Sequence, residues 1–582
     1  MNTNTSFASS RPPSQTLLIT GGKVHVMDGV TPPAEAIVLK NGRVAGVGSS
    51  EEMKNLAGSA AEPLDIHGCS VMPGLIDTHP HLLHFGALSY PLANLADAQS
   101  HEDIVQQIQK KASETPAGEW VMATPVGEAH YFIRRSYRDL KERNLPQKKV
   151  LDRATTQHPV LIQAWAPVIP NVCALNSLGL RTLGITRETP DRVENVWIEK
   201  DANGEPTGIL HGSVNLYYTN DSFIDSLWKQ IPFLNPESIF PGTRGAMAEY
   251  NRIGVTTVYE GHMMSPAEIE IYRTLRENDE LTVRVLTALE SEIYGLPWAL
   301  PLSDEEFEEN LKLALSMTNT NDDFLRSNGV TISRGGPCWP GFLRMHESYP
   351  GPYEKPTRGF TFVSGEKEAR AIEFCARNKL RLNCINTGYR DHDEFLDRAE
   401  TLLAGLSEAS RGWILQHVYL LKQEHARRYA RLRFHATTSM SFSWGKGDLM
   451  RKRFGNDILQ DLIPLRRLLD AGLVVGCGTD WGPKNIFEHI QLAQTHRFCG
   501  SGTCNLGPAQ PVTRMEAALM WTRDAARVLD WENIGTLRPS DYADLIITDR
   551  DPLTCDLDDL PQTKVVRTFL GGRTVYDDGT LP

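Results

Sequence analysis

The sequence predicts an α/β protein built on an eight-stranded (β/α)8 barrel of the TIM type, with an insertion after the first strand and a small β-sandwich formed by both termini. Three observations support this prediction. Eight apolar β-type runs alternate with amphipathic helical stretches, one connection is far longer than a crossover helix needs, and both chain ends carry short strands broken by turn residues. The eight runs are residues 71–77, 255–259, 282–289, 329–333, 382–386, 413–418, 433–439 and 473–480.

The same patterns predict the domain boundaries. We expect residues 1–15 to be a disordered tail, residues 16–70 and 535–582 to form the β-sandwich, and residues 71–534 to form the barrel, with an inserted subdomain at about 85–252. Asn41-Gly42 between apolar runs predicts a hairpin in the sandwich. The sequence from Thr513 to Glu516 predicts a capping box that begins a helix ending near Leu529.

Composition narrows the function classes. Among 582 residues, 60 are basic and 72 acidic, which gives a formal charge of −12 and argues against nucleic-acid binding. No apolar run approaches the ~18 residues that a membrane-spanning helix needs. The nine cysteines are scattered without a CxxC pair, which is typical of reduced thiols, so we expect a cytoplasmic protein. As partners we expect a small-molecule substrate, neither nucleic acid nor membrane, and leave a homodimer open.

Histidines and an aspartate follow three of the predicted strands. His79 and His81 follow the first, His417 ends the sixth and Asp480 ends the eighth. Residues i and i+2 of a strand share one side of the pleat, and the carboxyl ends of barrel strands form the usual active-site face. Imidazole and carboxylate are ligands of Zn²⁺, and a carboxylate there can also move a proton. The structural alternatives are a helix N-cap for Asp480 and a buried, hydrogen-bonded His417.

Several motifs together resemble the amidohydrolase superfamily, specifically its amidohydrolase-3 branch of N-substituted formamide deformylase-like proteins. The resemblance covers nearly the whole chain. It implies a metal-bearing barrel, a sandwich from both termini, and hydrolysis of a C–N bond by metal-bound water with Asp480 as proton shuttle. The motifs that carry it are Gly21-Gly22-Lys23-Val24, the block from Pro73 to His81, the turn and strand from Asp201 to Leu210, the run from Gly254 to Val258, the Gly-Thr-Asp-Trp block ending at Trp481, and the strands from Ala543 to Ile546 and from Gly572 to Val575.

The chain departs from that family pattern at three places. Thr331 stands where the branch carries a lysine, often carboxylated, on the fourth strand. Ile385 stands where a metal histidine ends the fifth strand, and Trp165-Ala166-Pro167 replaces an Asp-Gly-His in the insertion. Without a bridging carboxylate, two neighbouring cations repel each other. We therefore expect one divalent ion, Zn²⁺, held by His79, His81, His417 and Asp480, with Asp480 and His417 as the catalytic residues. Asn383, Asn386, Cys338, Glu260 and His262 are the candidates to complete the ligand set.

The segment from Arg334 to Val363 is rich in glycine, proline and aromatic residues, which predicts a lid over an aromatic-walled pocket. The pocket candidates are Trp339, Cys338, Asn386, Glu260 and His262. The leading hypothesis is a metal-dependent hydrolase that cleaves the C–N bond of a small, partly apolar amide, formamide or cyclic amide. The alternatives are a non-hydrolytic enzyme on the same fold (a decarboxylase, lyase or isomerase) and a catalytically silent binding protein.

Overall fold

A computed structural model describes most of the chain: residues 16–127, 135–164, 168–218, 221–294, 296, 299, 301–320, 322–335, 338–339, 341–406, 408–481 and 485–581. The expected tail, residues 1–15, and the Trp165-Ala166-Pro167 stretch lie outside the described residues. Among the described helices, none combines the length and the apolar character needed to cross a membrane.

Eight parallel strands form the central barrel, as the sequence predicts. They neighbour one another in chain order, and the first and last strands are joined where Thr78 N donates to the Cys477 carbonyl (3.1 Å) and Asp480 N to the His79 carbonyl (2.9 Å). The barrel strands are β1 Leu75–Asp77, β2 Val255–Glu260, β3 Arg284–Glu290, β4 Leu325–Ser333, β5 Leu382–Ile385, β6 Ile414–Gln416, β7 His435–Thr438 and β8 Val475–Cys477.

Helices cover the outside of the barrel, and their apolar faces form one large core with the outward side chains of the strands. They are Leu82–Ala87, Pro236–Arg252, Pro266–Glu277, Asp304–Met317, Gly365–Asn378, Tyr389–Leu402, Gln423–Arg431, Met440–Phe454, Leu465–Asp470, Ile486–Thr495, Arg514–Leu519 and Arg523–Leu529. Short 3₁₀ turns cover Thr318–Thr320, Pro352–Glu354, Asn456–Asp461 and Leu560–Gln562. Two short antiparallel strands, Tyr349–Pro350 and Pro356–Thr357, lie within the segment predicted to be a lid.

Besides small shifts of the strand ends, two predicted elements are divided differently in the structure. The run 71–77 is one apolar stretch but serves two sheets: Ser70–Pro73 pairs with Leu545–Thr548 in the terminal sandwich, and β1 begins at Leu75. The capping box at Thr513 is present, but the helix stops at Leu519 and a new one begins at Arg523. It is interrupted because the Met520 and Trp521 carbonyls accept hydrogen bonds from the barrel strands, at Cys477 N (2.9 Å) and Ile76 N (2.8 Å).

The insertion after β1 has a mixed sheet of its own. Its strands in spatial order are Arg192–Val193, Val196–Lys200, Pro206–Gly212, Asn171–Leu175, Val160–Ile162 and Val121–Ala123, and its helices are His101–Ser113, Lys148–Leu151, Ser177–Thr182 and Ser222–Trp228, with a 3₁₀ turn at Tyr137–Asp139. The chain returns to the barrel through the helix Pro236–Arg252, which packs on Leu82–Ala87. Gly86 and Gly242 allow this close approach, since a Cβ on Gly86 would lie 2.4 Å from the Gly242 carbonyl oxygen.

Both termini build the β-sandwich. One sheet holds, in spatial order, Arg43–Gly48, Ala36–Lys40, Leu17–Thr20 and Glu62–Asp65, with the helix Ser50–Ala57 packed on it; the other holds Lys23–Val24, Ser70–Pro73, Leu545–Thr548, Val565–Leu570 and Arg573–Asp577. The predicted hairpin is present, with Asn41 and Gly42 at φ 52° and 75° as a type I′ turn requires. Ile19, Val71, Leu545 and Phe569 meet in the shared core.

A buried ion pair joins the sandwich to the base of the barrel. Arg284 at the start of β3 donates to both oxygens of Asp544 at 2.6 and 3.0 Å, both side chains are about 2% exposed, and the guanidinium lies 3.9 Å from the Tyr542 ring centroid. Removing one partner of such a pair costs about 3–5 kcal/mol, because the other charge stays buried and uncompensated.

We therefore expect Asp544→Ala to lower the free energy of unfolding by about 3–5 kcal/mol, measured by urea denaturation. The double variant Arg284→Met/Asp544→Leu should recover most of that loss. A single variant within about 1 kcal/mol of the parent protein would contradict the role of this pair.

Candidate active site

Three of the side chains predicted from sequence meet at the carboxyl ends of the strands. His79 follows β1, His417 follows β6 and Asp480 follows β8. The two Nε2 atoms of His79 and His417 lie 2.9 Å apart, and His79 Nε2 lies 3.9 Å from Asp480 Oδ1. One potential ligand atom from each residue falls within 4.8 Å of the others, and all three residues are buried. This histidine–histidine–aspartate cluster is the candidate metal centre.

His81 lies beside this cluster rather than in it. β1 ends at Asp77, so the strand alternation that would place His79 and His81 on one side does not extend to them, and His81 adopts a left-handed conformation with φ 50°. Its Nε2 lies 3.4 Å from Asp480 Oδ1, and its ring stacks on Trp481 with 4.6 Å between centroids. In this geometry His81 supports the carboxylate.

The backbone around the cluster is held by Asp77. Its carboxylate accepts hydrogen bonds from His79 N (3.0 Å), Thr479 N (3.1 Å) and Thr479 Oγ1 (2.6 Å), and so links the ends of β1 and β8. Burial raises the pKa of Asp77 to about 7 even against these hydrogen bonds. His417 and Asp480 have φ of 67° and 54°, a conformation that costs energy and is common at functional sites.

The donor set fits a divalent cation. Burial lowers the pKa of His79 well below its usual value and that of His417 to about 3, so both imidazoles are neutral at neutral pH. Only one of the two facing Nε2 atoms can donate to the other, whereas a cation would accept a lone pair from each. Two imidazole nitrogens and one carboxylate oxygen are a ligand set that Zn²⁺ uses in catalytic sites, with a further position left open.

Thr331 and Ile385, which stand where the chain departs from the family pattern, lie inside the barrel and contact its inner side chains and backbone. Thr331 Oγ1 donates to the Gly261 carbonyl at 2.6 Å and accepts from Asn383 Nδ2 at 3.2 Å, and Gln416 Nε2 donates to the same carbonyl at 2.9 Å. Ile385 contributes an apolar wall beside His417. Among the described residues, no side chain on β4 or β5 offers a carboxylate to the cluster, and the number of ions that the site holds stays a prediction.

A second acid–histidine pair faces the cluster. His262 Nδ1 lies 2.7 Å from Glu290 Oε2, its Nε2 lies 3.2 Å from Tyr218 Oη, and its ring centroid is 5.3–5.8 Å from those of His79, His81 and His417. Glu290 also accepts from Met263 N at 2.6 Å and from the Ser333 hydroxyl. Sequence analysis named His262 but missed Glu290. The signal was present, because alternation along β3 puts Glu290 on the same inner face as Leu286 and Ala288.

The other pocket candidates lie elsewhere. Glu260 ends β2 on the outward face, where it accepts from Leu83 N (3.1 Å) and Tyr272 Oη (2.5 Å). Asn386 also points outward and donates to Tyr429 Oη at 3.0 Å. Cys338 is buried in the lid segment, and burial raises the pKa of its thiol, which argues against a nucleophile. Trp339 is half-buried and packs between two cores near Cys338.

Sequence analysis also missed a lysine beside the cluster. Lys446, on the helix Met440–Phe454, is buried and donates to the Cys338 carbonyl at 2.5 Å. Its ammonium lies 4.8 Å from the Phe442 ring, which in turn packs against His417 at 5.4 Å between centroids. Burial lowers the pKa of Lys446 to about 8. This side chain ties the lid segment to the helix that supports His417.

The pocket next to the cluster is nearly closed. It has room for about 10 Å³, the space of a single water molecule. Tyr218, Tyr294 and Phe362 form its aromatic wall, and Phe362 comes from the predicted lid segment. The pocket in this conformation is smaller than an amide substrate. The lining residues are Tyr218, His262, Met263, Glu290, Tyr294, Ser333, Gly335, Phe362, Ile385 and His417.

The buried histidines contribute to the pH dependence of stability. Burial lowers the pKa of His81, His435 and His496 from 6.5 to about 4, and that of His417 to about 3. Below pH 6.5 the unfolded chain binds protons that the folded chain does not, so the free energy of unfolding falls by ~1.4 kcal/mol per pH unit for each such histidine.

Buried carboxylates act in the opposite sense over the same range, because burial raises the pKa of Asp77 and of Glu368 to about 7, so the contribution of one histidine has to be measured with a variant. Between pH 6.5 and pH 4.5 the free energy of unfolding of His496→Gln, measured by urea denaturation, should fall by up to ~1.4 kcal/mol per pH unit less than that of the parent protein, because the variant lacks this buried neutral imidazole. An equal pH dependence in the parent protein and in His496→Gln would contradict the neutral state of the His496 imidazole.

The chain combines a (β/α)8 barrel, a β-sandwich built by both termini, and two imidazoles and a carboxylate at the strand ends. This combination places it in the class of barrel proteins with a candidate metal centre. The chain belongs to the amidohydrolase family, whose model matches residues 62–576. It is 24% identical to N-substituted formamide deformylase of Arthrobacter pascens over 589 aligned residues, covering 96% of this chain and 98% of that protein.

Solved structures share the fold. An uncharacterized metal-dependent hydrolase from Pyrococcus horikoshii OT3 superposes with a TM-score of 0.69 at 19% identity, covering 94% of this chain and 99% of that one. An adenosine deaminase from Xanthomonas campestris with bound zinc gives a TM-score of 0.53 at 14% identity, covering 98% and 95% of the two chains. At these identities the likeness establishes the fold alone.

Proposed function

We propose that this protein is a hydrolase that uses one divalent metal ion, Zn²⁺, to cleave the C–N bond of a small, partly apolar amide, formamide or cyclic amide. The observation that carries the proposal is the His79–His417–Asp480 cluster at the mouth of the barrel. Family membership and the whole-length similarity to a formamide deformylase support C–N bond hydrolysis. The zinc bound in a structural neighbour supports the choice of metal.

The protein side chains divide the work between binding and proton transfer. His79, His417 and Asp480 would hold the ion, which when bound polarises a carbonyl oxygen and lowers the pKa of a coordinated water to ~7. The second oxygen of Asp480 can take a proton and deliver it to the leaving nitrogen, and His81 at 3.4 Å orients that carboxylate. The His262–Glu290 pair, fixed by Tyr218 and Ser333, presents a positioned imidazole from the opposite wall.

The pocket supports the substrate class. Its aromatic wall of Tyr218, Tyr294 and Phe362 and the apolar Ile385 favour a substrate with an apolar substituent next to the polar reacting group. Ile385 stands where the family resemblance implies a histidine at the end of β5, so this wall would bind the substrate through apolar contact. Closure of the lid segment over the substrate would exclude bulk water during the reaction.

A substrate panel tests the proposal. Purified protein, loaded with Zn²⁺ and analysed for metal, is incubated with N-substituted formamides, acyclic amides, cyclic amides and matched esters, and amine and carboxylate release is measured. We expect about one metal per chain and turnover of an N-substituted amide or formamide. Protein that holds one Zn²⁺ but turns over none of them would instead favour the non-hydrolytic alternative, and protein that binds no metal would favour a binding role.

A further inference from the structure

Three hydrogen-bonded side chains from separate parts of the fold line the pocket beside the cluster. Tyr218 comes from the insertion, His262 follows β2 and Glu290 ends β3. Tyr218 Oη lies 3.2 Å from His262 Nε2, and His262 Nδ1 lies 2.7 Å from Glu290 Oε2. All three residues face the same small space as His417. We call them the Tyr–His–Glu chain.

The partners of Glu290 fix the direction of these hydrogen bonds. Its carboxylate already accepts from Met263 N at 2.6 Å and from the Ser333 hydroxyl. An ionised carboxylate only accepts hydrogen bonds, so His262 Nδ1 carries the proton of the third contact, and Nε2 of the neutral ring is an acceptor. A second proton on this ring would place a cation beside the proposed metal ion, which electrostatic repulsion disfavours.

The Tyr218 hydroxyl therefore donates its only proton to His262 Nε2. Met263 Sδ, at 3.8 Å, is a weaker acceptor. Burial, together with the charges of Glu290 and Asp480, raises the pKa of the Tyr218 phenol well above its usual value, so the hydroxyl keeps its proton. Among the described residues, no N–H or hydroxyl donates to the Tyr218 oxygen. The Tyr–His–Glu chain thus presents a hydrogen-bond acceptor to the pocket.

An acceptor at this place acts on the nitrogen of the scissile bond. In the proposed reaction Asp480 delivers a proton to that nitrogen, so the nitrogen lies within hydrogen-bond reach of Asp480. The His262 ring is 5.3 Å from the ring of His81, whose Nε2 is 3.4 Å from Asp480 Oδ1, so Tyr218 and Asp480 border the same space. A secondary amide offers an N–H there, whereas an ester oxygen would set its lone pairs against those of Tyr218 Oη. A site that bonds an N–H rejects analogues without one, because its own polar group is left unpaired.

We propose that Tyr218 is a specificity residue that restricts the site to secondary amides or formamides by accepting a hydrogen bond from the N–H of the scissile bond. His262 and Glu290 are positioning residues that hold the tyrosine proton away from the substrate. Resting on the proposed C–N hydrolysis, this role narrows its substrate class to amides with an N–H and disfavours esters and N,N-disubstituted amides.

The first test compares N-(2-phenylethyl)formamide with 2-phenylethyl formate, which has oxygen in place of the N–H and nearly the same shape. The ratio of their kcat/KM values, measured on zinc-loaded protein, cancels changes in metal content and in folded fraction. Tyr218→Phe should lower kcat/KM for the formamide by about 10–100-fold and that for the ester by less than about threefold. His262→Leu frees the tyrosine proton for the ester oxygen, so it should shift the ratio toward the ester.

The neighbouring tyrosine provides the matched control. Tyr217 is also buried, but its hydroxyl has no hydrogen-bond partner among the described residues. Tyr217→Phe removes the same group from the same stretch of chain, and the ratio should stay that of the parent protein.

The second test does not depend on turnover. Titration calorimetry measures binding of N-(2-phenylethyl)methanesulfonamide, which keeps the N–H and has no carbonyl to attack, and of its N-methyl derivative. The parent protein should bind the N–H compound at least about tenfold more tightly, and Tyr218→Phe should reduce this preference to less than about threefold.

The two tests separate the role of Tyr218 from the proposed hydrolysis. If neither the formamide nor the ester is turned over, but the binding preference is present and Tyr218→Phe removes it, the role of Tyr218 stands and hydrolysis fails. If the formamide is turned over and Tyr218→Phe leaves the ratio unchanged, hydrolysis stands and the role of Tyr218 is overturned. Equal affinity of the parent protein for both sulfonamides, or binding of neither, would also overturn it.

Discussion

Replacing Asp480 by asparagine is expected to lower kcat by about 10²–10⁴-fold, the range that a positioned proton-transfer group contributes. The amide keeps the shape of the carboxylate and one oxygen that can face a cation, but it cannot accept the proton. His81 and His79 approach the same oxygen of Asp480 at 3.4 and 3.9 Å, and the amide oxygen of asparagine can take its place. The variant therefore tests proton transfer while the packing of the site is kept. The measurement is steady-state kinetics on the substrate found in the panel, with metal content determined on the same sample.

Two other strand-end carboxylates provide controls. Glu260→Gln changes a buried carboxylate that faces the outer helices, so kcat per folded molecule should stay within a few-fold of the parent protein. Glu290→Gln weakens the hydrogen bond that positions His262, so its kcat should lie between those of Asp480→Asn and Glu260→Gln. If Asp480→Asn retains full activity with its metal in place, Asp480 is not the proton shuttle and the proposed mechanism is wrong.

The architecture could be predicted from sequence because it depends on regular patterns. Eight apolar runs separated by helical stretches define the barrel, and the turn at Asn41-Gly42 and the capping box at Thr513 are local signals that the structure confirms. The split of residues 71–77 between two sheets could not be predicted, because both parts are buried and the sequence shows one continuous apolar run. The break after Leu519 depends on carbonyls that bond distant strands, which no local pattern reveals.

The same limits apply to the candidate site. Alternation along a strand separates inward from outward side chains in the structure: Glu290 and Ile385 face the pocket, whereas Glu260 and Asn386, which the sequence analysis had named as pocket residues, face the helices. It fails beyond the last strand residue, where the left-handed conformations of His81 and Asp480 decide the direction of the side chain. Lys446 could not be placed from sequence, because its partner is a backbone carbonyl of the lid segment.

The position of His81 leads to the second large expected effect. The sequence assigns four ligands, His79, His81, His417 and Asp480, whereas the structure brings three of them together and places His81 beside the aspartate. His79→Ala should therefore reduce bound metal from about one per chain to less than a tenth, because loss of a direct ligand exceeds the ~10–100-fold effect of outer partners. His81→Ala should keep most of the metal under the same conditions, because loss of a partner outside the ligand set lowers metal affinity by no more than ~10–100-fold.

The measurement is metal content by elemental analysis after dialysis against buffered zinc, with thermal unfolding to show that each variant is folded. His67→Ala, an exposed histidine in the sandwich, is the matched control and should bind metal like the parent protein. Equal metal loss in the His79 and His81 variants would restore the four-ligand assignment and show that the imidazole of His81 turns toward the ion when it binds. Full metal retention in His79→Ala would remove the cluster as the metal centre, and with it the physical basis of the hydrolase proposal.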